Sequence, residues 1–184
     1  IPGMRSQFDP VTGTSADNPR QQVNTTTAFI DASMVYGNSD DRAAALRSHA
    51  GGKLLSGAGD LLPWNLPEIE MENPNGRPLA ELYMAGDVRA NENPALISMH
   101  TLWMREHNRW ADLLSAEQPT WSDEEIYHHA RRMVMGEIQN ITFQEFLPAL
   151  LGPHAPPLEE ARYDAAMNPG MFNEVSAALY RIGH

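Results

Sequence analysis

Arg89 and Glu92 stand three residues apart in AGDVRANENP (85–94), immediately ahead of a stretch with helical periodicity. An arginine aimed into a closed cavity stabilises negative charge that develops on a substrate, because its planar guanidinium keeps its charge and presents several donors. Glu92 sits where a carboxylate also favours a helix N-terminus through the macrodipole. Taken alone, the pair reads more readily as a surface ion pair beside a helix start.

A second constellation is TAFIDAS (27–33). Thr27, Asp31 and Ser33 supply hard oxygens at close spacing, with the Phe29 carbonyl between them. Such donors in a loop suit Ca²⁺, which takes roughly six to eight oxygens in flexible geometry. A single carboxylate is thin for an independent site, so a further acidic ligand must come from elsewhere. The competing reading is a turn capped by Asp31 and Ser33.

The histidines are the third candidate set. His100 and His107 are seven residues apart and share one helix face, which is not the four-residue spacing of a zinc HExxH pair. His128 and His129 are adjacent and point in different directions. Core or surface histidines are the ordinary reading of all four. His184 follows Arg181-Ile182-Gly183 on an amphipathic pattern. A helix-borne histidine beside a glycine can reach a flat cofactor, and histidine is a common haem-iron ligand.

The elements that must position these residues are mainly helical. Residues 1–24 read as loop. Thr-rich 25–37 is mixed and ends at Gly37, and Ser39 caps a short helix over RAAALRS. Residues 51–86 carry repeated turn signals and suggest loops with one small hairpin. Pro94 opens a helix to about Ala116. Ser122 with Glu125 forms a capping-box start for a pattern from Asp123 to about Leu151, long enough to bend near Asn140–Thr142. A last helix is expected from about Asn168-Pro169 to His184. The predicted class is mainly α with long connecting loops and little β.

Composition narrows the function classes. The chain has 184 residues, a formal net charge of −11 and 42% hydrophobic residues. That is globular and lacks the clustered Lys and Arg that phosphate backbones and anionic membranes require. No cysteine is present, so disulfides and thiolate metal sites are excluded. No apolar run reaches the roughly 20 residues of a membrane span, and no secretory signal is visible. There is no phosphate-cradling glycine loop and no GxSxG elbow. The ten methionines read as core packing rather than oxidant contacts.

Three stretches occur here in order: QQVNTTTAFIDASMVYG (21–37), YMAGDVRANENPALISMHTLWMREHNRWA (83–111) and ALYRIGH (178–184). With EEIYHHARRMVMGEIQNITFQEFLPALLG (124–152) between the last two, the chain from about residue 20 onward resembles the animal, myeloperoxidase-like haem peroxidase superfamily, including its bacterial relatives. The combination is specific, although no single motif is.

The resemblance implies a haem-peroxidase-like helical domain and a role for each match. His184 corresponds to the proximal haem-iron ligand and Arg89 to the distal catalytic arginine. Glu92 matches the glutamate that esterifies a haem methyl group, and Arg181 an arginine near the haem propionates. Thr27, the Phe29 carbonyl, Asp31 and Ser33 match a structural calcium loop. The implied cofactors are haem b, ester-linked through Glu92, and Ca²⁺. The implied activity is reduction of hydrogen peroxide with oxidation of a halide, pseudohalide or small organic donor through a ferryl intermediate, in an extracellular setting.

Departures from the family pattern matter as much. Asn93 stands where some members carry the methionine of a sulfonium link to haem, so that link is expected to be absent. The fatty-acid dioxygenases of the superfamily place a radical-forming tyrosine three residues before the proximal histidine. Arg181 occupies that position, and Tyr180 is rotated from it by about 100° on a helix. The peroxidase branch is therefore favoured over a dioxygenase, and the retained Arg89, Glu92 and His184 favour it over a non-catalytic binding or adhesion relative. The distal histidine segment lies before residue 1 and the asparagine partner of the proximal histidine after residue 184. Residues 1–184 are thus expected to be the central and proximal part of a peroxidase domain, incomplete at both ends.

Overall fold

A computed structural model describes residues 7–24, 26–73, 76–157 and 164–179. The chain divides into two compact units, Ile30–Arg162 and the combination of Ile1–Phe29 with Tyr163–His184.

The larger unit is built on two long helices. α1 (Ser33–Tyr36) and α2 (Asp40–Ala45) come first, then a long stretch of turns, then α3 (Pro94–Glu117), α4 (Asp123–Ile141) and α5 (Leu147–Leu151). Each start is locally encoded. Ser39 accepts from the Arg42 amide, Asn93 from the Leu96 amide, and Ser122 forms a full capping box with Glu125. α3 and α4 pack against each other, and the fully buried Ala111 and Ala130 leave room for close approach beside Ile126. The main core gathers Val35, Tyr36, Leu54, Met84, Met104, Tyr127 and Val134 around them.

The expected bend after α4 is a wide π-helical turn at Thr142–Phe146. Pro148 follows it and has no N–H to give the carbonyl of Gln144, so the regular ladder is interrupted there. Among the described residues of 51–86, no strand of the expected small hairpin is present. Isolated bridges pair Arg47 with Leu54 and Trp64 with Tyr83, and short 3₁₀ turns occupy Ala58–Asp60 and Leu79–Glu81. The Trp64–Tyr83 bridge is flanked by two backbone bonds, Asn65 N–H to the Leu82 carbonyl at 2.9 Å and Met84 N–H to the Pro63 carbonyl at 2.8 Å, and its rings stack at 4.6 Å, while Pro63 has no N–H to extend the ladder.

Arg42 is the unexpected core member. Only 6% of it is exposed. Its guanidinium donates to the carbonyls of Glu70 and Ala85 and lies 3.3 Å from the Met71 sulfur. Among the described residues no carboxylate is in hydrogen-bond reach of this cation, which ties together loops that share no secondary structure, and burial lowers its pKa.

In the smaller unit, bridges link Phe8 to Gln22 and Ser15 to Asn18, and the Arg20 guanidinium lies 4.0 Å from the Phe8 ring centroid. Its one described helix is α6 (Asn173–Ala177), shorter than the pattern from Asn168 suggests. Asn173 donates to the Arg20 carbonyl at 3.2 Å. Arg181 and His184 lie outside the described residues. Among the described residues no helix is long and apolar enough to cross a membrane.

Candidate functional site

The turn that carries Arg89 is fixed by three separate contacts. Arg42 donates to the Ala85 carbonyl at 3.0 Å. Gly86 lies so close to α1 that a Cβ there would come within 2.5 Å of the Met34 oxygen and 2.6 Å of the Val35 carbonyl carbon. Asn91 brackets Tyr83, accepting from its amide and donating to its carbonyl, each at 2.8 Å. A side-chain amide here does the work of a strand neighbour.

Within this turn Arg89 is paired with Asp87, not with Glu92 as its spacing first suggests. Asp87 Oδ1 accepts from the Arg89 amide at 2.8 Å and from Nε at 2.9 Å, and Oδ2 accepts from Nη2 at 2.7 Å. These hydrogen bonds hold the Asp87 carboxyl below its usual range and raise Arg89 further. The Arg89 side chain remains 55% exposed, and its Nη1 has no hydrogen-bond acceptor among the described residues. Glu92 contributes its amide to the Arg89 carbonyl at 3.0 Å. Its carboxylate is exposed and unpaired among the described residues. Capping of α3 falls to Asn93, whose side chain accepts from Leu96 at 3.0 Å, so Glu92 is not the capping residue.

The four histidines separate by environment. His107 is fully buried, with Nδ1 2.9 Å from the Tyr36 hydroxyl and Nε2 2.8 Å from the Gly52 carbonyl. Burial brings its pKa down to about 4. His100 is partly buried near Asp87 and Arg89, and burial lowers its pKa as well. His128 meets Glu124 at 2.9 Å on the surface, and His129 lies against Trp121. Among the described residues no three His, Asp or Glu side chains converge as a metal site.

The TAFIDAS residues form two local turns. Thr27 Oγ1 accepts from the Phe29 amide at 3.1 Å, and Asp31 Oδ1 accepts from the Ser33 amide at 2.9 Å. Ala32, between Asp31 and Ser33, takes a left-handed φ of 58°, a conformation that costs a residue with a Cβ. The turn reading of these residues is thus realised, while Asp31 keeps Oδ2 and Ser33 its hydroxyl outside those bonds. A cleft of about 570 Å³ lined by Lys53, Arg105, Arg109 and Asp112 includes neither Arg89 nor Glu92.

The chain matches the family described as animal haem peroxidase over residues 1–184. It belongs to that family. It is 38% identical to peroxinectin A of Dictyostelium discoideum over 168 residues, covering 89% of this chain and 31% of that protein. Among solved structures it resembles peroxidase A of Dictyostelium discoideum, with a TM-score of 0.88 and 34% identity, over 99% of this chain and 37% of the other. A fatty acid alpha-dioxygenase of Oryza sativa matches less fully, with a TM-score of 0.60 and 30% identity over 77% of this chain and 21% of the other. The chain thus spans about a third of the length of these two Dictyostelium relatives.

The haem that this family carries finds suitable groups in the Arg89 turn. Arg89 Nη1 and the Glu92 carboxylate, both without partners among the described residues, belong to the same turn. Sequence reasoning singled out both. It missed Asp87, Asn91 and Arg42, which set the turn. Asp87 alone left a trace in the sequence, because an aspartate two residues before an arginine can close a local turn on its amide.

Proposed function

We propose that this chain is the central and proximal part, incomplete at both ends, of a peroxidase domain that reduces hydrogen peroxide and oxidises a small donor. The observation that carries this reading is Arg89, held on a turn fixed by three contacts, with Nη1 lacking an acceptor among the described residues. Its family match over residues 1–184 supports it. Bound haem supplies the iron that takes up peroxide and passes oxidising equivalents to the donor.

The chain's own residues do the positioning. Arg89 donates to the peroxide oxygen on which negative charge develops and lowers the cost of that charge. Glu92 offers a carboxylate for an ester to a haem methyl group. By the sequence resemblance, His184 would provide the imidazole ligand to the haem iron, and Arg181 would bind the propionates. Both assignments rest on sequence. Thr27, the Phe29 carbonyl, Asp31 and Ser33 would hold Ca²⁺, with a further acidic ligand coming from elsewhere. The donor is a halide, a pseudohalide or a small organic molecule, and the setting is extracellular.

The dioxygenase alternative has a structural neighbour in its favour, but that neighbour covers less of this chain at a lower TM-score than the peroxidase does. Arg181 also stands where a dioxygenase needs its radical-forming tyrosine.

The deciding experiment is an absorbance spectrum of the full-length protein after haem loading, with and without hydrogen peroxide. A ferric Soret band that peroxide shifts supports the reading, and Arg89→Ala is expected to slow that shift by several orders of magnitude while haem stays bound. Absence of a Soret band, or an unchanged rate in Arg89→Ala, overturns it.

A further inference from the structure

We propose that Trp64 is a second, surface site of donor oxidation, where a phenol too bulky to reach the haem gives up an electron through Tyr83 to the Arg89 turn. The inference rests on the peroxidase reading for its oxidant, but the relay between the two rings stands without haem.

Trp64 and Tyr83 oppose each other across one antiparallel bridge. The flanking backbone bonds belong to their neighbours, Asn65 with Leu82 and Met84 with Pro63. Trp64 and Tyr83 are therefore a pair with no hydrogen bond between them, the register in which opposed side chains come closest. Their rings stack with centroids 4.6 Å apart and planes within 7°. Face-to-face overlap of two π systems gives an electron a direct path from one ring to the other.

The same register turns the Tyr83 amide and carbonyl away from Trp64, and Asn91 takes both at 2.8 Å. Asn91 is joined by one peptide bond to Glu92 and lies two residues from Arg89. Tyr83 thus couples the indole on one side to the Arg89 turn on the other, through two short hydrogen bonds and the chain itself.

The outer end of this path is open. Trp64 is 57% exposed, while the other three tryptophans are partly buried. Leu61, Leu66 and Leu79, from the same two segments, are exposed as well, and residues 61–66 carry no charge. A flat, neutral, apolar surface suits stacking of an aromatic ring. Leucines alone would hold such a ring but could pass no electron. Indole and phenol lose and regain one electron without breaking a bond to the chain.

For each hydrogen peroxide reduced to two waters, two electrons enter through the pair and two protons are taken up. Two phenols each give one electron to Trp64 and release the O–H proton to water, leaving as phenoxyl radicals. Trp64 and Tyr83 return to their starting state.

In the full-length, haem-loaded protein, oxidation of tyramine coupled to dextran is compared with oxidation of iodide. Trp64→Phe keeps a ring against Tyr83 that is far harder to oxidise, and Tyr83→Phe removes the hydroxyl alone. Each is expected to lose roughly tenfold in kcat/KM for the dextran-bound phenol while the iodide rate is retained. Equal losses for both donors, or no loss, overturn the donor site. In the haem-free protein, azide radical generated by pulse radiolysis oxidises exposed tryptophan. Indolyl absorbance is expected to convert into phenoxyl absorbance at least several-fold faster in wild type than in Tyr83→Phe. Equal conversion overturns the relay. A full-length protein with no Soret band but with this conversion intact sinks the peroxidase reading, and the donor site with it, and leaves the relay in place.

Discussion

The Tyr36 hydroxyl and His107 Nδ1 meet at 2.9 Å inside the core, across a sequence separation of 71 residues. On the far side of the ring, Nε2 faces the Gly52 carbonyl, which can only accept. The proton therefore sits on Nε2, and Tyr36 must be the donor to Nδ1. α1, α3 and the turn at Gly52 are joined through one imidazole. Tyr36→Phe strands the Nδ1 lone pair in a site with no solvent. A loss of about 1–3 kcal/mol is expected, the usual cost of a buried polar atom without a partner, read from urea unfolding midpoints.

His107 also makes stability depend on pH. Its pKa is about 4 in the folded chain against 6.5 for the free side chain, with burial as the main cause and Arg47 and Arg131 adding repulsion. The unfolded chain thus takes up a proton that the folded chain refuses. The contribution is present in full above pH 6.5 and is lost as pH falls toward 4, amounting to about 3 kcal/mol across that window. Partly buried His100 acts in the same direction. Thermal melts between pH 7 and 4 should show a shallower decline in His107→Gln than in wild type. Equal slopes would mean that other groups govern the acid limb.

What could be read from the sequence divides along range of interaction. The capping box at Ser122, the cap at Ser39 and the interruption after α4 depend on neighbours within a few residues, and each is where the sequence places it. Arg89 and Glu92 were legible for the same reason, as a motif on one turn. Arg42 was not. It reads as a surface residue of a short helix, yet its partners are carbonyls 28 and 43 residues away. The Arg89–Glu92 ion pair failed because Asp87 is nearer and its geometry is bidentate. Strand pairing in 51–86 likewise depended on distant partners and stays at a single bridge between Trp64 and Tyr83, where Pro63 has no N–H to extend it.

Gly86 links the fold to the Arg89 turn. A methyl group there would meet main-chain atoms of Met34 and Val35 rather than a flexible side chain, so neither partner can yield without moving α1. Gly86→Ala is expected to cost roughly 1–3 kcal/mol as an overpacking change. The turn should shift with it. The full-length, haem-loaded variant should therefore lose peroxide reactivity by more than its stability loss accounts for at temperatures where it remains folded. Stopped-flow rates equal to wild type would show that the turn tolerates the displacement.

Calcium gives a prediction that separates the two readings of residues 27–33. If these residues only close turns on Thr27 and Asp31, a chelator leaves the full-length protein unchanged. If they hold Ca²⁺, chelation lowers the melting temperature, because a metal that binds only the folded state stabilises it by mass action. Asp31→Ala then abolishes the chelator response. The expected result is a Tm that falls on chelation in wild type and is insensitive to chelator in Asp31→Ala.

Asn93 occupies the position where some family members carry a methionine joined to haem, and here its side chain has another duty. Its Oδ1 accepts from the Leu96 amide at 3.0 Å, with an extended backbone and Pro94 as the first helical residue. That satisfies one of the free amides at the start of a 24-residue helix that carries His100 and His107. Asn93→Ala should therefore cost about 1 kcal/mol in denaturant unfolding, and Asn93→Ser or Asn93→Asp should recover most of it. Asn93→Met places a thioether beside the Glu92 turn at the expense of the same cap. It is expected to be destabilised like the alanine variant whether or not a link to haem forms. If Asn93→Met were as stable as wild type without haem, the capping role would be wrong.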